Sequence, residues 1–130
     1  MNATKFAIAQ RPSEIADRVG EFLKEGNLEG VISMFHPECR IFFPPTEPPH
    51  VGHDGVRATF AGFMDARPIL NSTITSEVIV GDTALLHANW ELLDNSGTLI
   101  ASGNSTEVAK KLENGGWIYF IDCPLGAPAF

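Results

Sequence analysis

The sequence predicts an α+β fold, three N-terminal helices packed on one face of a curved antiparallel sheet, and two observations predict it. Up to Arg67 the apolar residues recur at helical spacing, whereas from Leu70 onward they recur with a period of two. The period-two segments are separated by Gly81-Asp82, Asn95-Ser96-Gly97 and Asn114-Gly115-Gly116, connections short enough to force antiparallel hairpins. Helices followed by a meander bury their apolar faces best as two layers around one core. At 130 residues the chain is read as a single domain, 1–130, able to bury that core without disulfides or a structural metal.

The elements follow in order. Residues 1–12 form an N-terminal arm, and Ser13, after Pro12, is the expected N-cap of the first helix. Ile15, Ala16, Val19, Phe22 and Leu23 make its apolar stripe, which ends at Gly26. A second helix starts at Asn27, carries Leu28, Val31, Ile32 and Phe35, and is stopped by Pro37. Cys39 to Phe43 reads as a strand with Cys39, Ile41 and Phe43 on one face and Arg40 and Phe42 on the other. The prolines of PPTEPP cannot continue that strand inside a sheet. Asp54 is the expected cap of a third helix bearing Val56, Phe60, Phe63 and Met64, which ends where Arg67 meets Pro68. Four strands follow at about 70–80, 83–93, 97–112 and 116–123, leaving a tail at 124–130.

Charge and cysteine usage exclude several functions. Nine Lys+Arg against sixteen Asp+Glu give a formal charge of −7, which repels a phosphate backbone, so no nucleic-acid partner is expected. The first residues lack the apolar core of a secretory signal, and no apolar run approaches the roughly 18 residues of a membrane span. The expected location is the cytoplasm, with Cys39 and Cys123 as thiols.

Three stretches carry a family resemblance: ADRVGEFLKEGNLEGVISMFHPECRIFF, the helix start GHDGVRATFAGFM, and the closing GDTALLHANWELL with GTLIASGNSTEVAKKLENGGWIYFIDCPLG. Over about 13–126 the sequence resembles the nuclear transport factor 2-like superfamily, and within it the SnoaL-like and ketosteroid isomerase-like branch of small bacterial proteins. The resemblance implies a cone-shaped, cystatin-like barrel over 13–123, an apolar pocket at its open end and a homodimer formed through the sheet. It does not imply one chemistry, because that fold hosts isomerases, dehydratases, cyclases and proteins without catalysis.

A ketosteroid isomerase needs a carboxylate base plus a tyrosine and a protonated aspartic acid as oxyanion donors. By the resemblance these roles fall at Phe43, at Val19, and at Thr106 or Val108, none of which can perform them. Isomerisation by that mechanism is rejected while the pocket is kept. The resemblance places Val19, Phe22, Phe43 and Phe60 in the pocket lining, although each also fits a plain core position; Trp90 shares that ambiguity.

Polar residues within strands are the catalytic candidates. His87, Asn89 and Glu91 share one face of their strand, opposite Leu86, Ala88, Trp90 and Leu92. Inward, they would line the pocket, with His87 and Glu91 as an acid/base pair; outward, they would form a wet or interfacial surface. Asn104 and Thr106 share a face of the next strand, with Glu107 on the opposite one; Asn104 either offers its amide to a ligand or makes a cross-strand bond. Asp122 ends an apolar run, where a carboxylate must be paired with an arginine or open onto a cavity.

His36-x-x-Cys39 and His50-x-x-His53 have the residue types of a zinc knuckle, but Cys39 falls on the apolar strand face and a chain of this size needs no metal to fold. No metal and no cofactor is expected, and the loop between these pairs is read as the lip of a pocket.

The sequence thus predicts a binding protein with a mostly apolar pocket for a small cyclic or carbonyl metabolite, with isomerase, dehydratase or cyclase chemistry left open. A non-catalytic dimeric association module is the alternative. The tail CPLGAPAF should pack on the pocket opening or on a second subunit. Deleting residues 125–130 is expected to lower the melting temperature, and an unchanged melt would count against packing.

Overall fold

The computed structural model describes residues 6–128. Its six-stranded sheet has the order β2-β1-β6-β5-β4-β3, where β1 is Phe35–Ile41, β2 His50–Val51, β3 Ile69–Val80, β4 Thr83–Leu93, β5 Leu99–Lys111 and β6 Trp117–Cys123. All neighbours are antiparallel except β1 and β6, which run parallel. Helices α1 (Ile15–Glu25), α2 (Leu28–Ser33) and α3 (Gly52–Phe60) pack together on one face of this curved sheet.

Helix α1 buries the stripe Ile15, Val19, Phe22 and Leu23 against the sheet and ends at Gly26, whose φ of 71° is the left-handed conformation that closes a helix. Each fully buried Ile, Leu or Phe contributes about 1.5–3 kcal/mol, so this stripe anchors the helix layer. Asn27 then starts α2 by accepting the Gly30 N–H at 2.9 Å.

Several boundaries differ from the sequence expectation, among them the end of the third helix, which stops at Phe60 and passes into a 3₁₀ segment at Ala61–Ala66 instead of running to Arg67. Pro12–Glu14 form a 3₁₀ turn, so α1 starts at Ile15 and Ser13 is not its cap; the Ser13 amide instead donates to Glu77 Oε2 at 3.1 Å. Phe35 is not the end of the second helix but the first residue of β1, opposite Tyr119. Pro37 is tolerated within that strand because the ladder breaks between Phe35 and Arg40, where no amide is required of it. β1 closes at Ile41, before Phe43, although the Phe42 amide still donates to the Asp122 carbonyl at 2.9 Å.

The start of the third helix differs as well. The third helix starts at Gly52 without a side-chain cap, two residues before Asp54, which sits in its first turn. Gly52 has φ 65°, and a Cβ there would lie 2.8 Å from the Pro37 carbonyl oxygen. Its own carbonyl accepts from Cys39 Sγ at 3.7 Å, tying the helix start to β1. Gly52→Ala is therefore expected to lower stability by about 2–4 kcal/mol, through backbone strain and the collision together. Urea denaturation checks this, and an unchanged midpoint would refute the left-handed start.

Candidate functional site

Strand alternation decides what faces the helices. On β4, Leu86, Ala88 and Leu92 are buried, so their neighbours His87, Asn89 and Glu91 point outward and are exposed. Of the two orientations open to His87 and Glu91, the structure has the outward one, and no acid/base pair of these two stands in the interior. Glu91 instead accepts from Asn71 Nδ2 on the neighbouring β3 at 3.3 Å. Asn104 and Thr106, opposite Asn89 and His87 in the β4–β5 ladder, share that outer face and do not enter a pocket. The reason is the register: the apolar set of β4 has to face the helix layer and cavity, and a period of two sends every polar neighbour the other way.

Between the helices and the inner face lies a cavity of about 110 Å³, most of whose wall is apolar. Val19 reaches it from α1, Phe43 from the segment after β1, Phe60 from α3 and Trp90 from β4. Phe22 is buried but lies off the cavity, with its ring edge-on to Phe6 at 5.5 Å and beneath Gly30. Phe35 packs against Phe60 at 5.8 Å and Tyr119 at 5.4 Å between ring centroids, joining one side of the wall. Trp90 Nε1 donates to the Pro124 carbonyl at 2.8 Å, and Pro124 lines the cavity. The tail therefore begins at the cavity edge, while its last two residues and the first five of the arm lie outside the described residues.

The polar content of the cavity comes from β5 and β6. Glu107 and Asp122 stand directly opposite each other in the ladder, both buried and both lining the cavity, with Ser105 and Tyr119 beside them. Directly opposed residues have Cβ atoms about 4.5–5.5 Å apart, so the carboxyl groups interact strongly. Asp122 takes part in none of the ion pairs among the described residues, and no Lys, Arg or His lines the cavity. Sequence reasoning had left Asp122 between an arginine pair and a cavity; it lines the cavity. Glu107 and Tyr119 were not singled out as site residues. The signal available for Glu107 was its place on the β5 face opposite Asn104 and Thr106.

Burial pushes the Glu107 carboxyl up to about 7, against a hydrogen bond from Ser105 that favours its ionised form. Burial first, then the neighbouring Glu107, raises Asp122 well above the ordinary carboxylate range. Burial and the two acids likewise raise the Tyr119 phenol. Two carboxyls so close cannot both ionise easily, so near neutral pH they share a proton and offer both a donor and acceptors.

The histidine pairs serve local structure. His36 Nδ1 accepts the Glu38 amide at 3.0 Å, and its ring stands edge-on to Phe120 at 5.1 Å between centroids. His53 Nε2 hydrogen-bonds with the Phe35 carbonyl at 2.8 Å. Among the described residues no three His, Cys, Asp or Glu side chains gather as metal ligands.

These features define a class, the NTF2-like or cystatin-like α+β barrel. The family model for the SnoaL-like domain matches residues 16–114, and the chain belongs to that family. No curated protein matches the chain in sequence. A Mycobacterium tuberculosis protein of unknown function is similar in structure at 16% identity with a TM-score of 0.74, over 85% of this chain and 66% of that one. An NTF-2 like protein of unknown function from Shewanella oneidensis gives 15% identity and a TM-score of 0.68, over 85% of this chain and 93% of that one. A Thiobacillus denitrificans protein described as a calcium/calmodulin-dependent protein kinase type II association domain gives 16% and 0.68, over 92% of this chain and 98% of that one. At these identities the likeness extends to the fold alone. No described helix is long and apolar enough to cross a membrane.

The acid pair has a measurable signature. The folded state holds the Glu107 proton up to about pH 7 while the unfolded chain releases it near 4.5, so folded molecules bind more protons between those values. Stability therefore falls as pH rises from about 4.5 to 7, by of the order of 3 kcal/mol for this group. Asp122, shifted in the same direction, extends the loss upward. Glu107→Gln is expected to flatten that slope and to leave the protein more stable than the parent at pH 8. Chemical denaturation across pH 4–8 checks this, and parallel slopes for parent and variant would refute the assignment.

Proposed function

We propose that this SnoaL-like protein binds a small cyclic metabolite in the cavity and holds or moves a proton on it through the Glu107–Asp122 pair. The observation that carries the reading is the opposed pair itself. Two buried carboxyl groups without a basic partner are expensive to keep in an apolar interior, and such expense is commonly tied to a site that uses them. A shared proton lets one carboxyl act as general acid while the other accepts, and the surrounding apolar wall excludes water and strengthens both contacts. Tyr119 adds a hydroxyl on the same wall. The pair is a different device from the three ketosteroid isomerase positions, which are apolar or lack an acid here. Of the earlier candidates, Asp122 keeps its role, Val19, Phe43, Phe60 and Trp90 form the binding wall, and the cytoplasm stays the proposed location.

The outward set on β4 supports a second reading that is compatible with the first. Val78 and Leu85, opposite each other on the outer face of β3 and β4, are 50% and 44% exposed, beside the polar surface of His87, Asn89 and Thr106. We infer that two copies associate through this face as a homodimer. An association module without catalysis would use this face alone and leave the cavity empty.

Native mass spectrometry of the gently purified protein, compared with its denatured mass, separates these readings. A dimer carrying a small organic mass that is lost from Asp122→Asn supports the ligand site. A bare dimer that Leu85→Asp converts to monomer leaves the association role and argues against a resident ligand.

A further inference from the structure

The polar wall of the cavity is acidic, and no described residue brings it positive charge. Glu107 is 6% exposed, its Oε1 has no hydrogen-bond partner, and it lines the cavity directly opposite Asp122, which is 7% exposed. Two of the donors in the lining are committed elsewhere. Trp90 Nε1 gives its proton to the Pro124 carbonyl at 2.8 Å and Thr59 Oγ1 to the Gly55 carbonyl at 2.8 Å. With no Lys, Arg or His of the described residues in the lining, Glu107 Oε1 has to find its donor on a ligand. An anion entering the cavity would meet like charge, and a ketone could take the shared proton but would leave Glu107 Oε1 without a donor. A cation brings both donors and the missing charge, and it would lie among the rings of Phe43, Phe60, Phe63, Trp90 and Tyr119, side chains that attract positive charge.

We propose that the ligand is a small cyclic amine bound as its protonated cation, its N–H groups directed at Glu107 and Asp122 and its ring held by the aromatic wall. The assignment rests on the small-molecule reading above and names the chemistry of that ligand. Size narrows it further: a void of about 110 Å³ is somewhat smaller than the roughly 150 Å³ that takes benzene, which points to one ring of about six heavy atoms.

The test compares piperidine with tetrahydropyran, six-membered rings of nearly the same size, the first cationic and the second neutral at pH 7. Each is titrated into the full-length protein while the Trp90 indole N–H signal is followed by NMR. Piperidine is expected to shift that signal and to bind at least tenfold more tightly than tetrahydropyran. Glu107→Gln and Asp122→Asn, with folding checked by circular dichroism, are expected to abolish the preference. The parent comparison stands even if a variant fails to fold. Equal binding of the two rings, or tighter binding of tetrahydropyran, would overturn the cation assignment while leaving the small-molecule reading intact. If neither ring perturbs Trp90 at tens of millimolar and native mass spectrometry finds no bound mass, both fall together.

Discussion

Glu107 and Asp122 face each other across the β5–β6 ladder with no basic residue among the described ones to pair them, and the interior is arranged around that opposition. A lone buried carboxylate would take up a proton and fall silent, whereas two of them compete for one proton and remain chemically available near neutrality. The surroundings maintain the competition. Burial raises both groups, the Ser105 hydroxyl favours ionised Glu107, and the aromatic wall keeps water from levelling the difference.

A register irregularity makes the arrangement possible. Val108 pairs with Ile121, but the next residue, Ala109, pairs with Tyr119, so β6 carries one extra residue at Phe120. Regular alternation would send Tyr119 and Asp122, three apart, to opposite faces; the extra residue returns both to the cavity. Phe120 is left to pack with His36 and beneath Lys110 Nζ, 5.6 Å from its ring centroid. The same β6 residues run parallel to β1, which fixes Phe35 against Tyr119 and so joins the aromatic wall to the acid pair. A site at this join depends on two strand pairings and one helix layer, and each places a different wall.

Much of this fold was legible in the residues because local physics set it. The α1 stripe and its Gly26 stop, the Asn27 start, the three hairpins and the extents of β3 and β4 depend on periodicity and turn chemistry within a few neighbours. The misplaced boundaries had non-local causes. Pro37 stands inside β1 rather than at the end of the second helix, because β1 breaks its ladder there, and Gly52 rather than Asp54 starts α3 because its left-handed turn brings it against the Pro37 carbonyl.

The sequence by itself determined the α+β plan, the alternation along each strand and the family to which the chain belongs. It showed that His87, Asn89 and Glu91 share a face and that Glu107 opposes Asn104 and Thr106 across its strand. Which face turns inward was decided only by tertiary structure, because alternation is symmetric until a helix layer covers one side. The meeting of Glu107 with Asp122, and of Tyr119 with both, likewise belongs to the fold: it follows from an inter-strand register and an extra residue that no pattern within β6 reveals.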